Sequence, residues 1–175
     1  MEGKFSYPTG KEGAELLGYD PLIIAKASQE LLKSFCGVGN PFSLGAIQPG
    51  AAVLDFGCGA GFDLYVASRY AGPDGRVCGV DLTKEMVQLA DENLRWAGLT
   101  NYEIRQTDSE AVPYQENSFD LIISNGVINL CPDKTACFRE MFRVLKPGGK
   151  MQFADIVLEG QLPPHLSASP EAWSQ

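Results

Sequence analysis

The feature that most constrains the fold is the run at residues 53–61, where an apolar stretch meets Asp55 and glycines then occupy every second position. These glycines are Gly57, Gly59 and Gly61. Glycine has no Cβ, so such a chain can turn sharply out of a strand and approach a ligand closely. Residues 62–70 follow with a helical pattern, and the first amides of that helix would face the ligand. The run therefore predicts a strand, a ligand-binding turn and a helix.

A second apolar run ends in another acid, Asp81, which lies 20 residues after Gly61. Nucleotide-binding α/β folds place at about this spacing the acid that accepts hydrogen bonds from a ribose. The two runs together indicate a site for a cofactor that contains a nucleoside.

Two classes of cofactor compete for this site. A dinucleotide site uses G-x-G-x-x-G to set a pyrophosphate on a helix N-terminus, but Phe62 stands where that pattern, begun at Gly57, needs its third glycine. The run D-x-G-x-G-x-G at residues 55–61 instead resembles motif I of class I S-adenosylmethionine-dependent methyltransferases. The cofactor that this resemblance implies has no phosphate and carries a sulfonium and an amino-acid tail, beside which Asp55 is electrostatically favourable. The sequence favours S-adenosylmethionine and leaves an NAD-dependent oxidoreductase as the alternative.

Composition narrows the class of partner. The net charge of −8 opposes a nucleic-acid partner, because such a partner requires a basic face on the protein, and it favours a small-molecule acceptor.

No apolar run approaches the roughly 18 residues of a membrane span, and the N-terminus has no hydrophobic signal core. The five irregularly spaced cysteines fit reduced thiols in a cytoplasmic protein. A single histidine, His165, argues against a histidine-built metal site or a Ser-His-Asp triad.

The pattern along the chain predicts an α/β fold with a doubly wound, mostly parallel sheet. Residues 1–45 are predicted as an N-terminal arm and a helix that starts at Asp20-Pro21, residues 46–158 as the cofactor-binding domain, and residues 159–175 as a tail rich in Pro and Ser. Predicted strands at 52–56, 76–81, 102–107, 119–124 and 150–157 alternate with helices, ending with one at 134–146. Such alternation is typical of parallel sheets.

Several motifs resemble those of class I S-adenosylmethionine-dependent methyltransferases. D-x-G-x-G-x-G at residues 55–61 resembles their motif I, and Asp81 and the segments at 107–113 and 143–149 fit the same family. The segments at 39–42, 79–86 and 124–134 are similar to the arsenite methyltransferase branch. The resemblance implies a Rossmann-like methyltransferase fold that is truncated after strand five. It also implies S-adenosylmethionine as the cofactor and S-adenosylhomocysteine as the product.

The resemblance also implies roles for individual residues. Asp55 and the glycine loop, with Cys58 inside it, would hold the amino-acid tail, and Asp81 would bind the ribose hydroxyls. The adenine would meet Leu82, Met86, Asp108 and Ser109. Asn125, at the end of strand four, would line the transfer site beside both cofactor and acceptor. No general base and no metal site are predicted.

The chain departs from the arsenite branch at the arsenic-binding thiols. Val38 and Gly126 stand where the resemblance expects two cysteines, and a third would lie in a C-terminal segment that this sequence does not contain. Cys36 and Cys131 are the remaining candidates to bind a soft acceptor, whereas Cys137 is predicted to pack in the core. A non-catalytic S-adenosylmethionine-binding module therefore remains a second alternative. If strand five lies at a sheet edge, a homodimer could cover it.

Overall fold

The computed structural model describes residues 7–107 and 110–157 of the chain. Its strands are β1 (Ala52–Phe56), β2 (Arg76–Asp81), β3 (Tyr102–Gln106), β4 (Phe119–Asn125) and β5 (Leu145–Ala154). Its helices are α1 (Gly10–Leu16), α2 (Pro21–Ile24), α3 (Gln29–Lys33), α4 (Phe62–Ala71), α5 (Lys84–Trp96) and α6 (Lys134–Val144). Single turns of 3-10 helix occupy Pro41–Leu44 and Ile128–Leu130.

The five strands form one parallel sheet in the order β3-β2-β1-β4-β5. The strand order reverses between β1 and β4, and ligands of open α/β sheets bind beyond the carboxyl ends of the strands at such a point. The predicted fold class is confirmed, and the described chain ends after β5.

Alternate residues of the central strands enter two separate cores, because side chains of a strand point to opposite faces. On β1, Val53 packs with α4 and the N-terminal helices, whereas Leu54 packs with α6. Both side chains are fully buried. A strand that is covered on both faces needs apolar residues at successive positions, which is why β1 is a continuous apolar run up to Asp55.

The N-terminal region differs from the prediction. Helix α1 lies where an arm was expected, and its Ala14 is fully buried against the core. The single helix expected from Asp20 onward is two short helices, each with its own cap. Asp20 accepts a hydrogen bond from the Leu22 amide at 2.8 Å, and Ser28 accepts one from the Leu31 amide at 3.1 Å. The second cap starts a new helix because its side chain satisfies an amide that a continuous helix would pair with the backbone.

The end of the domain differs by a few residues. Helix α6 ends at Val144 instead of residue 146, and β5 begins at Leu145 instead of Lys150. Between Phe119 and Leu121 the pairing of β4 with β5 shifts register, which leaves residues 147–149 as an irregularity inside β5. Within the described ranges, none of the helices has both the length and the apolar character of a membrane span.

Candidate functional site

A cleft of about 360 Å³ opens beyond the carboxyl ends of β1 and β2. Its lining is mainly apolar and comes from four strand ends and the loops that follow them. The lining residues are Phe56, Gly57, Val80, Asp81, Leu82, Thr83, Thr107, Glu110, Val127, Leu130, Cys131 and Pro132. The cleft therefore lies at the edge of the sheet where the topology predicts a ligand.

Asp81 connects the two loops that border this cleft. Its Oδ2 accepts a hydrogen bond from the Gly59 amide at 2.9 Å, and its Oδ1 accepts one from the Thr83 amide at 2.9 Å. Each carboxylate oxygen can accept a further hydrogen bond. Asp81 therefore fixes the glycine loop against the start of α5 and can still accept hydrogen bonds from a ligand.

The glycine loop requires its glycines for two different reasons. Gly57 has φ +79, and a Cβ there would lie 2.4 Å from Cγ2 of Val127 in the wall of the cleft. Gly59 has φ +50, but no atom lies within 4 Å of the position its Cβ would take. Positive φ favours glycine at both positions. The open space over Gly59 would accommodate a ligand that approaches the backbone.

Helix α5 also binds the glycine loop, through a side chain that was not predicted from the sequence. The buried Asn93 donates from Nδ2 to the Ala60 carbonyl at 3.0 Å. The signal for it was an asparagine on the helix face that carries Ala90 and Leu94, since a buried amide needs hydrogen-bond partners.

Asp55 is buried beneath the loop with a side chain that is only 2% exposed. Its Oδ2 has no hydrogen-bond partner among the described residues. Burial, together with the carboxylates of Asp63 and Asp81, raises the pKa of Asp55 well above its ordinary value. A buried carboxylate without a partner is costly, and a nearby cation would lower that cost. The loop thus fits a ligand that carries positive charge, as the amino-acid tail and sulfonium of S-adenosylmethionine do.

A buried network of three side chains joins the N-terminal segment to the sheet. The Tyr19 hydroxyl donates to Asp63 Oδ1 at 2.8 Å, and Asn125 Nδ2 donates to Asp63 Oδ2 at 3.0 Å. Burial raises the pKa of Asp63 to about 6, and these two hydrogen bonds oppose the rise. Neither Tyr19 nor Asp63 carries a local sequence signal for this network, because their partners are more than 40 residues away along the chain.

Asn125 also binds the backbone that crosses the end of β4. Its Oδ1 accepts hydrogen bonds from the Val38 amide at 2.9 Å and the Gly39 amide at 3.2 Å. Its Nδ2 donates to the Gly39 carbonyl at 2.9 Å as well. Both polar atoms of the side chain are therefore used inside the protein, and Asn125 is not among the residues that line the cleft. Its role in lining the transfer site stays a prediction.

The other predicted cofactor-binding residues are distributed unevenly. Leu82 lines the cleft with a side chain that is 61% exposed, whereas the half-buried Met86 is outside the lining. Cys58 is buried beneath the loop, and its Sγ would lie 2.8 Å from a Cβ added at Gly79. Asp108 and Ser109 lie outside the described residues.

The two positions where the resemblance expects cysteines are neighbours in space. A Cβ added at Gly126 would lie 3.3 Å from Cγ1 of Val38. No thiol is present at either position, and φ at Gly126 is +73. Cys131 lines the cleft, whereas the exposed Cys36 is not among the lining residues. In the part of the chain that the structure describes, no group of three or more His, Cys, Asp or Glu side chains could hold a metal ion.

The sequence is similar to a protein-family model and to individual proteins of the same kind. A protein-family model described as a methyltransferase domain matches residues 47–175. An arsenite methyltransferase of Halobacterium salinarum is 38% identical over 170 residues, which are 97% of this chain and 43% of that protein.

Two solved structures resemble the fold. An arsenic (III) S-adenosylmethionine methyltransferase from Chlamydomonas reinhardtii has a TM-score of 0.71 at 34% identity, over 94% of this chain and 55% of that one. A SAM-dependent methyltransferase from Aquifex aeolicus has a TM-score of 0.63 at 27% identity, over 93% and 80% of the two chains. This chain therefore spans about half the length of the Halobacterium and Chlamydomonas proteins.

Proposed function

Because the chain belongs to the methyltransferase-domain family, we propose that it binds S-adenosylmethionine in the cleft beside Asp81 and transfers the methyl group to a small-molecule acceptor. The resemblance predicted from the sequence, a class I methyltransferase near the arsenite branch, is confirmed. The NAD-dependent alternative receives no support from these similarities. The observation that carries the proposal is Asp81, which fixes the glycine loop and also lines the cleft.

In this proposal the residues around Asp81 divide the cofactor between them. The Asp81 carboxylate accepts hydrogen bonds from the ribose hydroxyls, which are stronger than bonds between neutral groups. Asp55 and the backbone of Gly57, Gly59 and Gly61 hold the charged amino-acid tail. The role of Asp55 is supported by its Oδ2, which is buried and has no hydrogen-bond partner among the described residues.

The adenine would lie against apolar residues farther along the cleft. Leu82 and Val127 are two apolar residues of the lining. Met86 lies outside the lining in this structure, and its contact with the adenine stays a prediction. Asp108 and Ser109, which lie outside the described residues, stay predicted members of the adenine site.

The proposed reaction depends mainly on how the protein positions its ligands. S-adenosylmethionine supplies an electrophilic methyl group on a sulfonium and becomes S-adenosylhomocysteine. Aligning the reacting groups can supply about 7–11 kcal/mol of a barrier. A soft nucleophile with a lone pair needs no general base to attack that methyl group. Val127, Leu130 and Pro132 give the cleft an apolar lining beside the proposed reacting atoms.

A non-catalytic S-adenosylmethionine-binding module is the second candidate function. One observation favours it. Val38 and Gly126 are neighbours at the two positions where the resemblance to the arsenite branch expects cysteines, and neither residue carries a thiol. This candidate shares the donor site with the first and differs only in lacking an acceptor.

The same proposal includes the cellular compartment, the class of partner and the oligomeric state. Five free cysteines support a reducing compartment such as the cytoplasm. The net charge of −8 supports a small acceptor and argues against a nucleic-acid partner. β5 pairs with β4 at one end of the strand order, so a homodimer could cover its outer edge.

Calorimetric titration with S-adenosylmethionine, S-adenosylhomocysteine and NAD tests the donor site. We expect the first two to bind and NAD to give no heat, and the opposite pattern would refute the proposal. A mass-spectrometric screen for methylated product, with thiol and trivalent metalloid acceptors, then separates the two candidates. Methylated product supports the enzyme, and binding without product supports the module.

A further inference from the structure

The carboxyl group of Asp55 is buried where three elements of the donor site meet. On β1, Asp55 comes two residues after Val53, so its side chain points to the same face of the sheet, the face that α4 covers. Asp63 lies in the first turn of α4, and the glycine loop at 57–61 joins the strand to that helix. Asp55 is only 2% exposed, so water reaches it poorly.

The ionisable groups that interact with Asp55 are all acids. Burial is the largest cause that raises the pKa of Asp55, and the carboxylates of Asp63 on α4 and Asp81 on β2 raise it as well. Burial also raises the pKa of the Tyr19 hydroxyl and of the Cys58 thiol, and the Asp55 carboxylate adds to both rises. A negative charge on Asp55 is therefore opposed by the N-terminal segment, the loop, the helix and the neighbouring strand.

Hydrogen bonds decide which of the two buried acids, Asp55 or Asp63, holds a proton more readily. The oxygens of Asp63 accept one hydrogen bond from the Tyr19 hydroxyl at 2.8 Å and one from Asn125 Nδ2 at 3.0 Å. Such bonds favour the charged form, and the pKa of Asp63, raised by burial, is about 6. Oδ2 of Asp55 has no partner among the described residues. Near neutral pH the charge therefore resides on Asp63 and the proton on Asp55.

The proposed cofactor brings positive charge to this place. The amino-acid tail of S-adenosylmethionine carries an ammonium group, and an α-amino group with a pKa of about 7.7–8.0 stays protonated below neutral pH. An opposite charge within about 4–6 Å favours the ionised form of a carboxyl group. The ammonium group also supplies the hydrogen-bond donor that Oδ2 of Asp55 lacks.

We propose that Asp55 is protonated in the free protein and releases its proton when the ammonium group of the cofactor's tail binds beside it. The proton goes to solvent, the carboxylate that remains pairs with the ammonium group, and no covalent bond to the ligand forms. The buried site thus gains one negative and one positive charge together, which avoids the cost of an unpaired charge. The inference rests on the proposed function, and it adds that cofactor affinity depends on pH.

The direction of this pH dependence follows from the released proton. Below the pKa of Asp55 in the free protein, binding has to expel the proton, so a higher pH favours binding. For one proton, the dissociation constant should fall by up to about tenfold for each pH unit. Above that pKa the free protein is already ionised, and the dissociation constant should become constant.

Calorimetric titration in phosphate and in imidazole buffer at about pH 6.5 tests the inference. The two buffers take up protons with different heats, so the difference between the two titrations counts the protons released. We expect about 0.5–1 proton for each S-adenosylmethionine bound, and the same for S-adenosylhomocysteine, which has the same tail. 5′-Methylthioadenosine is the matched control ligand, because it keeps the nucleoside and lacks the tail, and it should bind without proton release.

Two variants assign the proton to its residue. Asp55→Asn resembles the protonated form, so it should bind S-adenosylmethionine more weakly, with no proton release and no pH dependence of the dissociation constant. Asp63→Asn is the matched control, because it neutralises the neighbouring buried acid. It should retain the release with a pH window moved downward, since burial remains the largest cause of the raised pKa of Asp55. Melting temperatures show whether each variant is folded. If Asp55→Asn does not bind the cofactor, the buffer comparison on the unchanged protein and on Asp63→Asn decides.

The outcomes separate this inference from the proposed function. S-adenosylmethionine that binds with equal heats in both buffers would overturn the inference and leave the proposed function intact. Equal proton release with 5′-methylthioadenosine, release that persists in Asp55→Asn, or release that is lost at every pH in a folded Asp63→Asn protein would do the same. No binding of S-adenosylmethionine between about pH 5.5 and 8 would refute the proposed function itself.

Discussion

The two sides of the cleft differ in how closely they follow the family. On the donor side, formed by residues 55–61 and 80–83, motif I and Asp81 are present and Asp81 is bonded to the loop. The proposed acceptor side is formed by residues 36–40 and 125–131, of which Val127, Leu130 and Cys131 line the cleft. The two positions where the resemblance expects cysteines lie side by side there but are Val38 and Gly126. The donor side depends on backbone shape, which glycines determine, whereas the acceptor side depends on single side chains. Single side chains can change while the backbone stays the same.

The largest expected effect is on the donor side, in Gly59→Val. A branched side chain would enter the open space over the loop and strain a residue at φ +50. We expect S-adenosylmethionine binding to weaken by more than roughly 100-fold in calorimetry. Gly98→Val is the matched control, because Gly98 also has positive φ and open space but follows α5 away from the cleft. Equal loss in both variants would indicate general destabilisation, and retained binding in Gly59→Val would refute the loop assignment.

Asp81→Ala should have the next largest effect. Loss of charged hydrogen bonds to the ribose should weaken cofactor binding by about 1.5–3 kcal/mol, or roughly 10–150-fold. Asp120→Ala is the matched control, because Asp120 also accepts a hydrogen bond from a backbone amide, that of Ala52 at 2.9 Å, but lies outside the cleft lining. An unchanged dissociation constant in Asp81→Ala would remove this residue from the site.

The acceptor side can be changed toward the family by Val38→Cys combined with Gly126→Cys. The new thiols would be neighbours, so arsenite affinity should rise about tenfold in native mass spectrometry. Cys131→Ser should be present in all variants so that the thiol of Cys131, which lines the cleft, does not contribute. Gly126→Ala measures the combined cost of φ +73 and of a Cβ that lies 3.3 Å from Val38 Cγ1. If the double variant gains nothing over either single variant, this side of the pocket differs from the arsenite branch in shape as well as in ligands.

The smallest expected effect is a pH dependence of stability from Asp63, which is hydrogen-bonded to Asn125 of the acceptor side. Asp63 has a pKa of about 6 in the folded protein and about 3.9 when unfolded, so the folded state binds more protons between these values. Relative to Asp63→Asn, the free energy of unfolding should fall by an amount of order 1 kcal/mol as pH rises from about 4 to 6. Denaturant titrations at several pH values measure this difference.

Tyr19→Phe is the partner variant for that experiment. The Tyr19 hydrogen bond lowers the pKa of Asp63, so removing the hydroxyl should shift the pH window upward. A difference from Asp63→Asn that rises with pH, or a window that moves downward in Tyr19→Phe, would contradict the assigned network.

The parts of the fold that were predictable from the sequence are those with local signals. The parallel sheet followed from continuous apolar strands, and the glycine loop followed from spacing alone. The split between α2 and α3 was missed because apolar residues keep helical spacing across the Ser28 cap. A cap competes with a continuing helix through one hydrogen bond, which periodicity does not record.

The site was less predictable because its contacts join distant segments. Asp55, Gly57 and Asp81 carry motif signals, but the Tyr19–Asp63–Asn125 network arises only when α1–α3 fold back onto the sheet. The Sγ atoms of Cys131 and Cys137 are 3.3 Å apart, a contact that depends on the turn between Ile128–Leu130 and α6. Cys137 was predicted to pack in the core, and its burial agrees with that prediction, but its neighbour could not be inferred from spacing.

A crystal structure of the protein with S-adenosylhomocysteine tests the central claim most directly. The account predicts that the ligand lies in the cleft with its ribose hydroxyls on the Asp81 carboxylate and its charged tail over the glycine loop beside Asp55. The separation of Val38 and Gly126 should be unchanged by binding. A ligand bound elsewhere, or one in the cleft that leaves Asp81 without a ribose contact, would contradict the account.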